Sequence, residues 1–335
     1  MLFIQQPLIS DNRLVNEHQV VGEQAVKMRP TIRTSAALTF LLLAGCSSGG
    51  GNPPLAVVTP TPTPTPAPTV AFTSWSAIPT PGTVTVTGST IEASYISNPL
   101  VTNFPVTSHT APTTGTASGS ITYNAAGART AVAITGRQSG VSFNSTELAS
   151  TGTVVLGAAV TTSTDGKTQM IYSDTTTLGI NYQAYGIWAT GLGTGSGFGG
   201  AASIGSLTPT SAVPTTGTAT FTGGVGGLLI DTTGLQYLVR GNSSVVANFA
   251  TRSLAYSTTG STFTTGQSAS GLNMNGTLTY SAGSGNFTGP ITSSSISSGT
   301  AQGSFYGPTA TEVGGTFAMT GTGVQTFFGA FGAKR

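Results

Sequence analysis

Apolar residues in the body of this chain recur at every second position, as in Thr83-Val84-Thr85-Val86-Thr87 and Gly119-Ser120-Ile121-Thr122-Tyr123, and no stretch after Val70 keeps a helical period. A period of two turns one side of an extended chain toward a core and the other toward water, so the sequence predicts strands throughout. Turn formers punctuate them: Asn124-Ala125-Ala126-Gly127, and Asp165-Gly166 as a strong hairpin signal. Together with strands over 130–134 and 178–185, this gives an antiparallel β region across 71–205. A glycine-rich break, Gly191 to Gly200, and the segment Ser206-Leu207-Thr208-Pro209 separate it from a second series over 206–335. That series has strands at 218–222, 235–240, 245–256, 274–280, 286–289, 300–306, 315–320 and 324–331. Even spacing with frequent glycine indicates a barrel or sandwich. A closed barrel is favoured, because it removes edges that a weakly charged Thr/Val chain cannot otherwise protect. Phe221, Phe249, Phe305 and Phe317 are expected to point inward and fill a small bore.

The N-terminal region is of another kind. Arg29 and Arg33 follow Met28, an apolar run of about ten residues ends in Leu43-Ala44-Gly45-Cys46, and Cys46 is the sole cysteine. A run that short does not cross a bilayer, which needs about 20 residues. Its end resembles the lipobox of bacterial lipoproteins, where small residues admit a peptidase and only a thiol can carry the thioether-linked diacylglyceryl group. The chain is therefore expected to be cut before Cys46 and held on a membrane by acyl chains on that sulfur, two or more being needed for stable anchorage. Met28 fits a start better than Met1, which leaves 1–27 without structural meaning and 28–45 as signal peptide. Residues 46–70, with Gly49-Gly50-Gly51 and the Thr-Pro alternation from Thr59 to Pro66, read as a flexible and then polyproline-extended linker. Ser47 follows the cysteine with no aspartate near. By resemblance to Gram-negative lipoproteins, that favours the outer membrane.

From Cys46 onward there are seven basic and six acidic residues, a net charge of +1, so no nucleic-acid partner is expected. Solubility rests on Ser, Thr, Asn and Gly, as suits an exported β protein without disulfides. His109 is the only histidine of that portion. A catalytic triad or zinc site lacks the residues to build it, and neither an enzyme nor a metal site is expected.

Four pieces in order resemble a known family. Gly303 to Phe317 (GSFYGPTATEVGGTF) and Phe328 to Arg335 (FGAFGAKR) are similar to the barrel ending of the transferrin-binding protein B superfamily of surface lipoproteins. YGIWATG from Tyr185 and PTTGTATFTGGVGG from Pro214 resemble its entry into that barrel. The resemblance implies an all-β lobe, a "handle" domain followed by an eight-stranded β-barrel, lipid-anchored and displayed on the outer face of the outer membrane. It implies capture of an extracellular protein or small solute, iron or haem acquisition among the possibilities, and delivery to an outer-membrane transporter. Transferrin receptors of the family have two charged lobes, whereas this chain has length for one lobe and almost no charge, as in the one-lobed relatives.

No bound cofactor is called for. The candidates for ligand contact are Tyr182, Tyr185 and Trp188, clustered at the handle-to-barrel junction, with a tyrosine or His109 as a conceivable haem ligand. The same aromatics could instead seal the junction. Glu312 could meet a partner, or accept backbone hydrogen bonds in a turn, or pair with Arg252 or Arg335. The competing function is a structural or adhesive surface lipoprotein with no defined solute, for which low charge and Ser/Thr richness speak equally well.

Overall fold

The computed structural model describes residues 69–71, 73–78, 80–149, 158–173 and 175–335. Cys46, the signal peptide and the linker lie outside the described residues. The described body is all-β, built of a ten-stranded sheet and a closed eight-stranded barrel.

The sheet holds β1 (Thr69–Ala71), β2 (Gly82–Ser97), β3 (Val106–His109), β4 (Thr113–Tyr123), β5 (Arg129–Thr135), β6 (Gly140–Asn144), β7 (Ala158–Thr162), β8 (Gln169–Ser173), β9 (Gln183–Ala189) and β10 (Ser196–Gly205). Its order is β6-β5-β4-β2-β10-β9-β8-β7, with β1 parallel to the start of β2 and β3 antiparallel to its end. Alternation along β2 explains why this sheet has two apolar faces. Val84 and Val86 point into one cluster with Val132, Ile134, Phe143, Met170 and Trp188, while Ile91 packs with Ile187 and Ala201 against barrel residues Leu228 and Phe328. The sheet curls around the first cluster. Glu92, fully buried, holds the β5–β6 turn across that curl by accepting from the N–H groups of Arg137, Gln138 and Ser139 and from the Ser139 hydroxyl.

Two short helices break the expectation of none. The first, α1 (Ser145–Ala149), starts at a capping box that Asn144 and Glu147 make reciprocally. The Asn144 Oδ1 accepts from the Glu147 N–H, and the Glu147 carboxylate accepts from the Asn144 N–H at 2.9 Å. The same carboxylate accepts from the Thr164 N–H at 2.8 Å, tying the β6 edge to the β7–β8 turn across the open side of the sheet. The second, α2 (Thr175–Leu178), takes the place of the start of the strand expected over 178–185. Gly179 in the left-handed region ends it, at φ +63°, and the strand starts only at Gln183.

The barrel is β11 (Thr218–Ile230), β12 (Gln236–Asn248), β13 (Ser253–Phe263), β14 (Met274–Thr279), β15 (Asn286–Ser293), β16 (Gly299–Tyr306), β17 (Glu312–Thr320) and β18 (Thr326–Lys334), with β18 pairing back to β11. Phe221, Phe249, Phe305 and Phe317 all lie in its core, each no more than 2% exposed. The stretch 245–256 is the end of β12, a turn and the start of β13, not one strand. Asn248 makes the turn, its Oδ1 accepting from the N–H groups of Ala250 and Thr251, and the buried parity switches across it, from Val245, Ala247 and Phe249 to Leu254 and Tyr256.

The glycine-rich run 191–200 is only partly a break, since from Ser196 it is β10, a central strand of the sheet. Its glycines answer a packing demand. A Cβ at Gly199 would lie 2.6 Å from Phe328 of the barrel, and one at Gly200 would lie 2.2 Å from Trp188 on the other face. Only a bare backbone lets the barrel on one side and the indole on the other approach so closely.

Candidate functional site

The three aromatics grouped by the sequence do not form one site. Tyr185 and Trp188 sit on opposite faces of β9. Tyr185 lies along the barrel wall, where a Cβ at Gly224 or Gly332 would meet its ring or hydroxyl. Burial pushes its phenol well above the ordinary range, so a phenolate for haem iron is disfavoured there. Trp188 is buried in the handle core, its indole N–H donating to the Ser139 hydroxyl at 3.1 Å. Tyr182 packs over Gly307, which has φ +82°. His109 lies at the end of β3, and its two ring nitrogens contact the carbonyl oxygens of Thr110 at 2.8 Å and Val324 at 3.0 Å, which leaves neither facing a metal.

Glu312 opens β17 and is 3% exposed. It accepts backbone hydrogen bonds, but from the Asn181 and Tyr182 N–H groups across the handle–barrel seam rather than within its own turn, and no ion pair joins it to Arg252 or Arg335 among the described residues. Beside it the Gln183 amide donates to the Val313 carbonyl at 2.6 Å, and Tyr306 donates to the Ser203 carbonyl at 3.0 Å. Desolvation raises the Glu312 pKa despite those donors. A carboxyl raised on folding adds stability below its unfolded pKa and loses it as pH rises through the folded one. Glu312→Gln is therefore expected to flatten this loss. Measured by thermal unfolding from mildly acidic to neutral pH, the Tm of the variant minus that of the parent should increase with pH. A difference that falls as pH rises would contradict the assignment.

A concentration of exposed apolar side chains lies elsewhere, at the tip joining β2 to β3. Of the six large apolar side chains that stand exposed among the described residues, four fall within 96–104: Ile96, Leu100, Val101 and Phe104, with Leu100 94% exposed. Local chemistry builds this loop. The Asn98 side chain accepts from the Leu100 N–H at 3.0 Å, the Asn98 N–H reaches the Pro105 carbonyl at 2.9 Å, and the Phe104 N–H reaches Val101 at 3.0 Å. Asn103 and Phe104 both hold left-handed backbone, φ 71° and 46°. Asparagine tolerates that region and phenylalanine rarely adopts it, so the surrounding bonds hold Phe104, 40% exposed, in a costly conformation.

The tip is fixed to the barrel. The Val106 N–H donates to the Gly234 carbonyl at 2.9 Å, and Gly234, φ +85°, has no room for a Cβ beside the Val106 carbonyl. Below Phe104 a cleft of about 310 Å³ runs between handle and barrel, lined by Tyr95, Ile187, Leu192, Leu228 and Tyr237, with Asp165 and Lys167 as its charged residues. The Ser163 hydroxyl and the Lys167 N–H hold the Asp165 carboxyl below its usual range. The arrangement offers apolar contact area over a small cleft with few polar groups. Sequence reasoning missed it because one loop of 98–105 reads as ordinary turn; its signal was an apolar pair, Leu100-Val101, inside the Asn-Pro and Phe-Pro punctuation.

Residues 213–335 match the family model described as the C-lobe and N-lobe beta barrels of Tf-binding protein B. Among solved structures, a point mutant of transferrin-binding protein B from Haemophilus parasuis is 14% identical, with 65% of this chain and 51% of that one covered and a TM-score of 0.44. The isotype 1 protein from serogroup B Neisseria meningitidis is 18% identical, with 58% and 38% covered and a TM-score of 0.43. A structure described as a surface lipoprotein is 12% identical, with 73% and 98% covered and a TM-score of 0.38. The chain thus spans about half or less of those two transferrin-binding proteins. No curated protein matches it.

Proposed function

We propose, on the premise that residues 213–335 are a barrel of the Tf-binding protein B family, that the protein is a non-catalytic lipoprotein, anchored in the outer membrane through Cys46 and exposed at the cell surface. It captures an extracellular protein with the apolar tip of its handle and passes the partner or its cargo to an outer-membrane transporter. The observation that carries the capture reading is the concentration of Ile96, Leu100, Val101 and Phe104 at the end of β2 and in the hydrogen-bonded loop that follows it, above a cleft. Apolar and aromatic side chains clustered and exposed are what a binding hot spot requires and what a merely soluble surface avoids. The barrel interior is filled by its own aromatics, which directs capture to loops and not to a bore.

The test is retention from host fluid, with vertebrate transferrin as one defined probe, on the immobilised full chain. A saturable partner at micromolar concentration or tighter is expected, and Leu100→Ser with Phe104→Ser should weaken it at least tenfold without lowering Tm. Cys46→Ala should move the protein out of the membrane fraction, and protease applied to intact cells should digest the parent body. Absence of any saturable partner would favour the structural or adhesive role.

A further inference from the structure

A second cavity, of about 510 Å³, lies between the handle and the barrel wall on the side of β8 and β9. Its floor is the outer side of β11 and β12. At Gly226 there is nothing to touch: a Cβ built there would meet no atom within 4 Å. Gly226 therefore borders open space, unlike Gly224 on the same strand, where a Cβ would lie 2.4 Å from the Tyr185 hydroxyl. Ile171, Leu178, Ile187 and Leu238 supply apolar lining. Exposed Asn242, Gly260 and Thr264 lie at its mouth.

One charged side chain lines this space, Arg240, and no carboxylate does among the described residues. The Arg240 Nε is shut off from solvent and has no hydrogen-bond partner. A guanidinium N–H without water or acceptor is costly, and because this one is shut off from the cavity, an oxyanion removes that cost only when the Arg240 side chain turns to present its guanidinium to the cavity. Guanidinium pairs with a carboxylate through two parallel N–H···O bonds, and a single cation in apolar surroundings matches a single negative charge better than a phosphate dianion. We infer that the seam cavity binds a monocarboxylate with an apolar tail, of the fatty-acid class, with the carboxylate on Arg240 and the tail along Ile171, Ile187 and Leu238. The cavity adjoins the cleft beneath the handle tip, with Gln169, Ile171, Ile187 and Leu238 lining both, but the inference rests on Arg240 and does not depend on capture at the tip.

Dodecanoate labelled with ¹³C at the carboxyl, titrated below its micelle limit into the full chain, tests this by calorimetry and by the carboxyl resonance; dodecanol serves as the uncharged probe. Saturable one-site binding of dodecanoate is expected, with dodecanol at least tenfold weaker. Arg240→Gln should weaken dodecanoate at least tenfold and leave dodecanol as it was. Gly226→Leu should abolish dodecanoate binding by filling the floor, and Gly226→Ala, which adds one methyl into open space, should weaken it with Tm unchanged should the larger side chain prevent folding. No saturable binding of dodecanoate, equal binding of the two probes, or an Arg240→Gln protein that binds like the parent would each overturn the inference.

Discussion

Phe305→Ala is expected to destabilise the protein by about 3–5 kcal/mol, the range for removing a buried aromatic from a core that cannot collapse around the gap. Phe305 is 1% exposed and stands at the centre of an aromatic cluster, with ring centroids of Tyr280, Phe287 and Phe249 at 5.3, 5.5 and 5.9 Å. Two of those contacts are near edge-to-face, the geometry aromatic quadrupoles favour, so more than area is lost. Relaxation is limited because the strand beneath is pinned on both sides: the Thr208 N–H donates to the Phe305 carbonyl and the Phe305 N–H to Gly285. Closure of the barrel adds to this, since every strand from β11 to β18 has two neighbours and none can shift inward alone. Urea unfolding should show the free energy extrapolated to water fall by this amount, with the midpoint lowered in proportion. A loss below about 1 kcal/mol would mean that the cluster is not packed as described.

The inward phenylalanines were legible because strand alternation alone decides which residues face a core, and Phe221, Phe249, Phe305 and Phe317 keep that parity. Boundaries were less so. Between Val245 and Tyr256 no glycine or proline marks the turn; Asn248 and a left-handed Arg252, φ 56°, make it with side-chain hydrogen bonding and backbone strain that alternation does not register. The α1 start was written in Asn144-Ser145-Thr146-Glu147, a capping box too short to show helical periodicity. Gly199 and Gly200 read in the sequence as part of a break between two β regions because a glycine chosen for close approach and one chosen for flexibility look the same until the neighbours are known. The candidate site was least legible: the tip loop matters through exposure, and Arg240 through the lack of a partner, and neither is a property of local sequence.

Glu92 shows the same gap between residue and role, and its removal carries the other large expected effect. In the sequence it is an isolated acid within a strand of apolar residues alternating with Thr and Ser; in the fold it is fully buried and its carboxylate receives three backbone N–H groups and one hydroxyl from the β5–β6 turn. Hydrogen bonds to a charged acceptor contribute about 1.5–3 kcal/mol each, but the turn is partly exposed, so water can recover some of the donors. A net cost of about 2–4 kcal/mol is therefore expected for Glu92→Ala. Glu92→Gln should recover little, because its amide nitrogen would face donors where the second carboxylate oxygen accepts. Gly136 leaves no alternative packing, as a Cβ there would lie 2.6 Å from the carboxylate. Ser139, which donates to Glu92, also accepts from the Trp188 indole, so losing the carboxylate loosens the handle core as well as the turn. Tryptophan fluorescence during urea unfolding should report that loosening, with the handle signal lost at lower urea than the barrel's circular dichroism. If Glu92→Ala and Glu92→Gln both unfold within about 0.5 kcal/mol of the parent, the curl of the sheet is held by its apolar cluster alone and the carboxylate is incidental to it.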